Sequence, residues 1–275
     1  MAKVKEIKMN DTQIPSEYNE IIDEQLEIYN DGRSITKVNS IPKTKDIPIE
    51  NEGHWNKIPD VICVYADMIN STKLSAKNHD QSTAGAYQLF TNTIVKLFHQ
   101  IDAPYIDVKG DGVFALFNQD QVYTAFASAI NVKTFAENIF VPKIKDNTDL
   151  DIGCHLGIDQ KTVLVRKVGL KKYDDRTDRQ NEVWAGKPVN MAAKLASKSN
   201  HSELLVSDRY FNKLEDDFVL YSCGCPDGEK AYLWEEIDLA DDDIFDFDKA
   251  HKLESHWCEN HGAEYFQNII ELDED

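Results

Sequence analysis

The chain is predicted to fold as an α/β protein in which buried strands alternate with amphipathic helices, on three observations. Val61-Ile62-Cys63-Val64-Tyr65-Ala66 is a continuous apolar run of strand length, the pattern of a strand covered on both faces. Tyr87, Leu89, Phe90, Ile94, Leu97 and Phe98 recur at helical spacing and stop before Pro104, so an amphipathic helix follows that strand. Tyr105-Ile106-Asp107-Val108 and Val113-Phe114-Ala115-Leu116-Phe117 then read as two strands joined through Lys109-Gly110-Asp111-Gly112, a hairpin whose Asp-Gly favours positive φ.

Taken in order, residues 1–55 are polar, carry one helical stretch near Pro15 to Tyr29 and pass through Ile41-Pro42 and Ile47-Pro48, and so read as an N-terminal arm. Ile22 and Leu26, four apart, give that helix an apolar face for the core or for a second copy. Residues 56–237 hold the main run of strands and helices. Beyond the hairpin, Val122, Phe126, Ile130 and Phe135 keep helical spacing, and residues 151–158 and 163–165 form a strand pair in which His155 is a satisfied strand residue. Residues 203–206, 217–222 and 231–234 add short strands. Residues 238–275 form an acidic extension with helical promise, read as a solvated face, with shielding of a cationic pocket as the functional alternative.

Composition narrows the function. A net charge of −19 over 275 residues argues against general binding to nucleic acid or anionic membrane, which needs clustered cations. No apolar run approaches the roughly 18 residues of a membrane span, and no secretory h-region stands at the amino end. Cys63, Cys154, Cys223, Cys225 and Cys258 are an odd, dispersed set, which fits a reducing cytoplasm. Cys223-Gly224-Cys225 with His256, Cys258 and His261 matches no regular zinc spacing, so no zinc site is expected.

The chemistry concentrates in single carboxylates at strand ends. Asp67 leaves the first strand where ligands gather at carboxyl ends of buried strands, and the hairpin turn would hold Asp111 beside it. Oxygen donors without a His or Cys cluster suit hard Mg2+ or Mn2+, so Asp67, Asp111 and the Met68 carbonyl are the candidate metal ligands. The bland alternatives are that Asp67 caps a helix starting near Ser71 and that Asp111 is only a turn residue. A third motif, Gly186-Lys187-Pro188-Val189-Asn190-Met191-Ala192-Ala193-Lys194, places Asn190 and Lys194 four apart on one helix face.

With all three motifs in family order, residues 56–237 resemble the class III nucleotidyl cyclase catalytic domain. The resemblance implies a ferredoxin-like βαββαβ core with extra strands and helices, assembled as a head-to-tail homodimer with shared active sites. It also implies cyclisation of a nucleoside triphosphate to a 3′,5′-cyclic monophosphate and pyrophosphate with two divalent ions per site, Asp67 and Asp111 binding them and Asn190 and Lys194 reaching ribose and phosphates. Lys194 stands where the family usually has Arg, keeping charge but losing the planar fork. The usual triphosphate-binding lysine of the last hairpin is represented by Lys230, with Arg166, Lys167, Arg176 and Arg179 as other nearby cations.

The base-reading positions depart most from the family. Adenylate cyclases carry Lys and guanylate cyclases Glu four residues before the second metal aspartate; this chain has Asp107, and the second purine-reading position is Val183. The pattern is similar to the bacterial pyrimidine cyclases of the anti-phage system known as Pycsar, with Tyr65, Ser71 and Trp184 available for stacking or shape. A carboxylate accepts but cannot donate, so Asp107 alone tilts towards CTP through the cytosine N4 amine, an intervening cation reversing the preference to UTP. The expected activity is therefore CTP to cyclic CMP, made as a second messenger for a downstream cyclic-nucleotide-sensing effector in anti-phage defence. UTP to cyclic UMP, a purine cyclase and a catalytically silent nucleotide-binding module are the alternatives.

Overall fold

The structure, a computed structural model, describes residues 13–77, 80–148, 150–170 and 179–274; Arg176 lies outside them. The central element is strand β2 (His54–Ile69), longer at both ends than its apolar run. It is preceded by helix α1 (Asn19–Asn30) and strand β1 (Ser34–Lys37), which pairs parallel to the start of β2. After β2 come helices α2 (Ser71–Lys77) and α3 (Asp80–Gln100), then the hairpin β3 (Tyr105–Lys109) and β4 (Gly112–Phe117). Helix α4 (Val122–Phe135) runs through a π-helical turn (Ala136–Phe140) into α5 (Val141–Asn147), and β5 (Gly153–Gly169) returns along β2.

β3, β4, β2 and β5 lie side by side in that order, every neighbour antiparallel. With α3 after β2 and α4 after β4, this is a ferredoxin-like βαββαβ core. Strand β6 (Gln180–Gly186) pairs with the far end of β5 and leads into helix α6 (Lys187–Lys198). Strand β7 (Leu204–Ser207) joins β5 in parallel, and short helices α7 (Asp208–Phe211) and α8 (Asp217–Leu220) follow. β8 (Trp234–Asp238) and β9 (Lys249–Leu253) finish the sheet, with β9 hydrogen-bonded between β7 and β8, and α9 (Gly262–Glu271) comes last.

Period-two alternation in β2 splits the interior into two cores. Ile62, Val64, Ala66 and Met68 face α3, α4 and the π-helical turn, where Phe90, Ile94, Phe98 and Phe140 are fully buried; each such phenylalanine contributes about 2 kcal/mol. Val61, Cys63 and Tyr65 face the other side, towards Ile41, Ile47, Val163, Trp184 and Ala192 of α6. The polar arm thus lends two isoleucines to the core, while α1 buries no residue and leaves Ile21, Leu26 and Tyr29 exposed.

Four local expectations change. Residues 153–169 are one strand, because Asp159, Gln160 and Lys161 stay in register with β2 instead of turning. Residues 217–220 are helical, capped by the Asp216 side chain accepting the Phe218 amide at 2.8 Å. The last strand starts at Trp234, since residues 221 and 232 meet only in an isolated bridge. The hairpin turns through Gly110 at φ +69°, with Lys109 opposite Gly112, so the glycine before Asp111 carries the positive φ.

α6 lies unusually near the sheet. A Cβ on Gly157 would overlap the Ala192 carbonyl oxygen and come within 2.6 Å of the Ala196 amide nitrogen, both helix backbone atoms with nowhere to go. Gly157→Val is therefore expected to lift α6, destabilise the fold by about 2–3 kcal/mol and lower Tm in thermal unfolding. An unchanged Tm would contradict this packing.

Candidate active site

Asp67 sits near the end of β2 and shares the parity of Cys63 and Tyr65, so its carboxylate leaves the face that α6 covers. The neighbouring strand end brings in the β3–β4 turn with Asp111. A Cβ on Gly112 would overlap the Tyr65 hydroxyl and lie 3.2 Å from Asp67 Oδ1, so only glycine lets this turn approach β2. Burial, helped by the negative charge of Asp111, pushes the Asp67 carboxyl up to about 6, against one hydrogen bond from the Met68 amide. The Tyr65 hydroxyl is pushed up to about 12 by burial and then by Asp67 and Asp111. Two carboxylates held together against their own repulsion, with oxygen donors around them, fit a hard divalent cation.

A second cluster lies on β3. Alternation puts Tyr105, Asp107 and Lys109 on one face, and the Asp107 carboxylate accepts the Val108 amide at 2.8 Å and the Lys109 ammonium at 2.8 Å. The Tyr105 ring packs on Trp184 with centroids 4.6 Å apart, and Tyr105 also reaches Asp107. Trp184 Nε1–H lies near the Tyr105 hydroxyl yet is buried outside hydrogen-bond geometry to any acceptor among the described residues. Val183, next to Trp184 on β6, is half-buried opposite Arg166. Tyr105 and Lys109 were missed from sequence, although the same alternation that exposes Asp107 could have found them.

The third group is on α6. Asn190 is exposed, one turn before Lys194. Lys194 Nζ donates to the Ile244 carbonyl at 2.7 Å, so the β8–β9 connection reaches over this helix. The same strap pairs Asp242 with Lys198 at 2.8 Å and Asp246 with Lys187 at 2.7 Å, and Asp246 also accepts Arg209 at 3.0 Å. Burial opposes ionisation of Asp246, yet Arg209 and Lys187 hold its carboxyl well below the usual range. Lys230 is exposed on the loop before β8. The fold therefore brings Asp67, Asp111 and Tyr65 together, and Asp107 with Tyr105, Lys109 and Trp184, whereas Lys194 is engaged by the strap.

No family model matches the chain. It is 33% identical over 234 residues to the uridylate cyclase of Propioniciclava tarda, covering 83% of this chain and 74% of that protein. It is also 33% identical over 255 residues to the uridylate cyclase of Micromonospora echinofusca, covering 88% and 82%. Among solved structures it resembles the adenylyl cyclase CyaB from P. aeruginosa, with a TM-score of 0.57 at 14% identity over 74% of this chain and 97% of that one. The guanylate cyclase domain of RhGC from Catenaria anguillulae gives 0.56 at 13% over 73% and 98%.

The raised Asp67 carboxyl has a measurable consequence. A carboxyl whose folded pKa lies above its unfolded value favours the fold most at low pH and loses that contribution as pH rises through about 6. Asp67→Asn is thus expected to raise the Tm of the metal-free protein at pH 7.5, to change it little at pH 4, and to abolish the further stabilisation of the native protein by Mn2+. A lower Tm for the variant at pH 7.5 would contradict the repulsive pair. The two strong relatives, on a fold shared with adenylyl and guanylyl cyclases, lead to one conclusion: the chain belongs to the family of the uridylate cyclases.

Proposed function

We propose that this nucleotidyl cyclase converts UTP to 3′,5′-cyclic UMP and pyrophosphate. The observation that carries the base choice is the Asp107–Lys109 pair, with Nζ and Oδ2 2.8 Å apart. Asp107 alone tilts towards cytosine, because the uracil O4 would face a bare carboxylate. With the ammonium beside it, the carboxylate accepts uracil N3–H while Lys109 donates to O4, and cytosine would oppose its N4 amine to the cation. The uridylate cyclase names of both strong relatives point the same way. Val183 removes the second polar contact of a purine site.

Asp67, Asp111 and the Met68 carbonyl would hold two Mg2+ or Mn2+ ions; such ions lower the pKa of the ribose 3′-hydroxyl and neutralise the triphosphate. Lys194 and Lys230 would take the phosphates, and Asn190 would orient the ribose. For this Lys194 must exchange the Ile244 carbonyl for a phosphate oxygen. Tyr65, placed beside the aspartates, would bound the pocket that the base and ribose share. We further propose that two copies associate head to tail, each lending its aspartates to one site and its α6 and Asp107 clusters to the other. On the same reading the enzyme works in the cytoplasm, where the triphosphates are, and its product signals phage infection to a cyclic-nucleotide-sensing effector.

Purified protein incubated with Mn2+ and each of the four ribonucleoside triphosphates is expected to give cyclic UMP as the dominant product by mass spectrometry. Lys109→Ala should reduce kcat/KM for UTP by about 10- to 100-fold, the value of one charged hydrogen bond, and move the UTP to CTP ratio towards CTP. Cyclic CMP as the main product of the native enzyme would overturn the base assignment.

A further inference from the structure

Four side chains that the cyclase site does not use converge at the edge of the domain. Cys223, Cys225, Cys258 and His261 place their three sulfurs and one ring nitrogen all within 4.8 Å of one another. Cys225 Sγ and His261 Nδ1 are 3.2 Å apart, and Cys258 Sγ lies 3.9 Å from the same nitrogen. Tetrahedral zinc with its usual bond lengths sets neighbouring S and N donors about 3.6 Å apart, and the two distances straddle that value. His256, the fifth candidate in the sequence, instead pairs with Glu137 at 3.0 Å.

The backbone around the cluster is arranged for thiolates. The Asn260 and His261 amides both donate to the Cys258 sulfur, which partly offsets the negative charge of a three-thiolate, one-imidazole set. Gly228 N–H bonds the Gly224 carbonyl at 2.5 Å, closing a turn that contains Cys225, and the Cys223 and Cys225 sulfurs converge on the same point. Sequence spacing hid the site, because one ligand pair is separated by a single residue and its partner pair follows more than thirty residues later.

We propose that Cys223, Cys225, Cys258 and His261 form a structural zinc site of the Cys3His type. It is closed by four protein donors, so its function is to clamp and not to catalyse. One pair precedes Lys230 on the loop to β8, and the other precedes α9, whose Tyr265 packs edge-on against Phe218 of α8 at 5.0 Å. The metal thus ties the loop carrying Lys230 to the C-terminal helix. Soft thiolates and imidazole select Zn2+ over the hard Mg2+ or Mn2+ of the oxygen-lined site, so the two metal centres would not compete.

Untagged full-length protein, purified without added metal and dialysed against EDTA, is expected to retain about one zinc per chain by mass-spectrometric metal analysis. Asp67→Ala should retain the same zinc, separating this site from the cyclase centre, while Cys225→Ser/Cys258→Ser should hold none. Should the double variant fail to fold, two measurements on native protein decide: a mercurial should release zinc in step with thiol titration, and Co2+ exchanged into the site should show sulfur charge-transfer bands and intense tetrahedral visible bands. Background zinc in native protein, with Cys223, Cys225 and Cys258 freely reactive to a thiol reagent or joined in a disulfide, would overturn the proposal. So would a cobalt spectrum without sulfur ligation.

Discussion

The structure depends on the forced proximity of two carboxylates. Asp67 lies two residues before the end of a strand buried on both faces, Asp111 turns a two-residue hairpin beside it, and Gly112 is the residue whose missing side chain lets the turn close. Burial and the second charge leave Asp67 with a carboxyl near 6, a value at which a cation is the natural means of keeping both groups ionised at neutral pH. Sheet order follows from the same demand. β2 must lie between β4, which leads out of the turn, and β5, which carries the glycine against which α6 packs.

Much of this was legible in the residues. The run from Val61 to Ala66, the helical spacing from Tyr87 to Phe98 and the Gly110-Asp111 turn are local patterns with local physical causes, and the strand-end placement of Asp67 follows from them. Other features depend on pairing that no local pattern carries. β5 runs through Asp159-Gln160-Lys161 because β2 is there to bond it and Arg209 meets the buried Asp159 at 2.7 Å. β9 was hidden in an acidic stretch, since Ala250, His251 and Leu253 are few apolar groups among charges and gain their burial only between β7 and β8. The Cys223 to His261 cluster was hidden for the same reason, being made by the return of the chain and not by a spacing.

Residues 238–275 consequently contribute to the sheet, to the helix layer and to the cationic face of α6. The strap from Ala240 to Phe247 engages Lys187, Lys194 and Lys198 together, with Phe245 under Lys198 and Phe247 under Arg209. An acidic net charge and the proposed triphosphate substrate are compatible on this basis: cations are concentrated on α6, where Asp246 and Asp242 hold Lys187 and Lys198 and the Ile244 carbonyl holds Lys194.

In the proposed dimer the aspartate pair of one chain works with the α6 lysine of another. Mixing Asp67→Ala with Lys194→Ala protein after subunit exchange tests it directly, because only one site in each mixed dimer would then be intact. Two nearly inactive preparations are then expected to recover up to about a quarter of native cyclase activity, the statistical limit for a two-fold dimer. Activity no greater than the sum of the two variants, with exchange demonstrated independently, would contradict it.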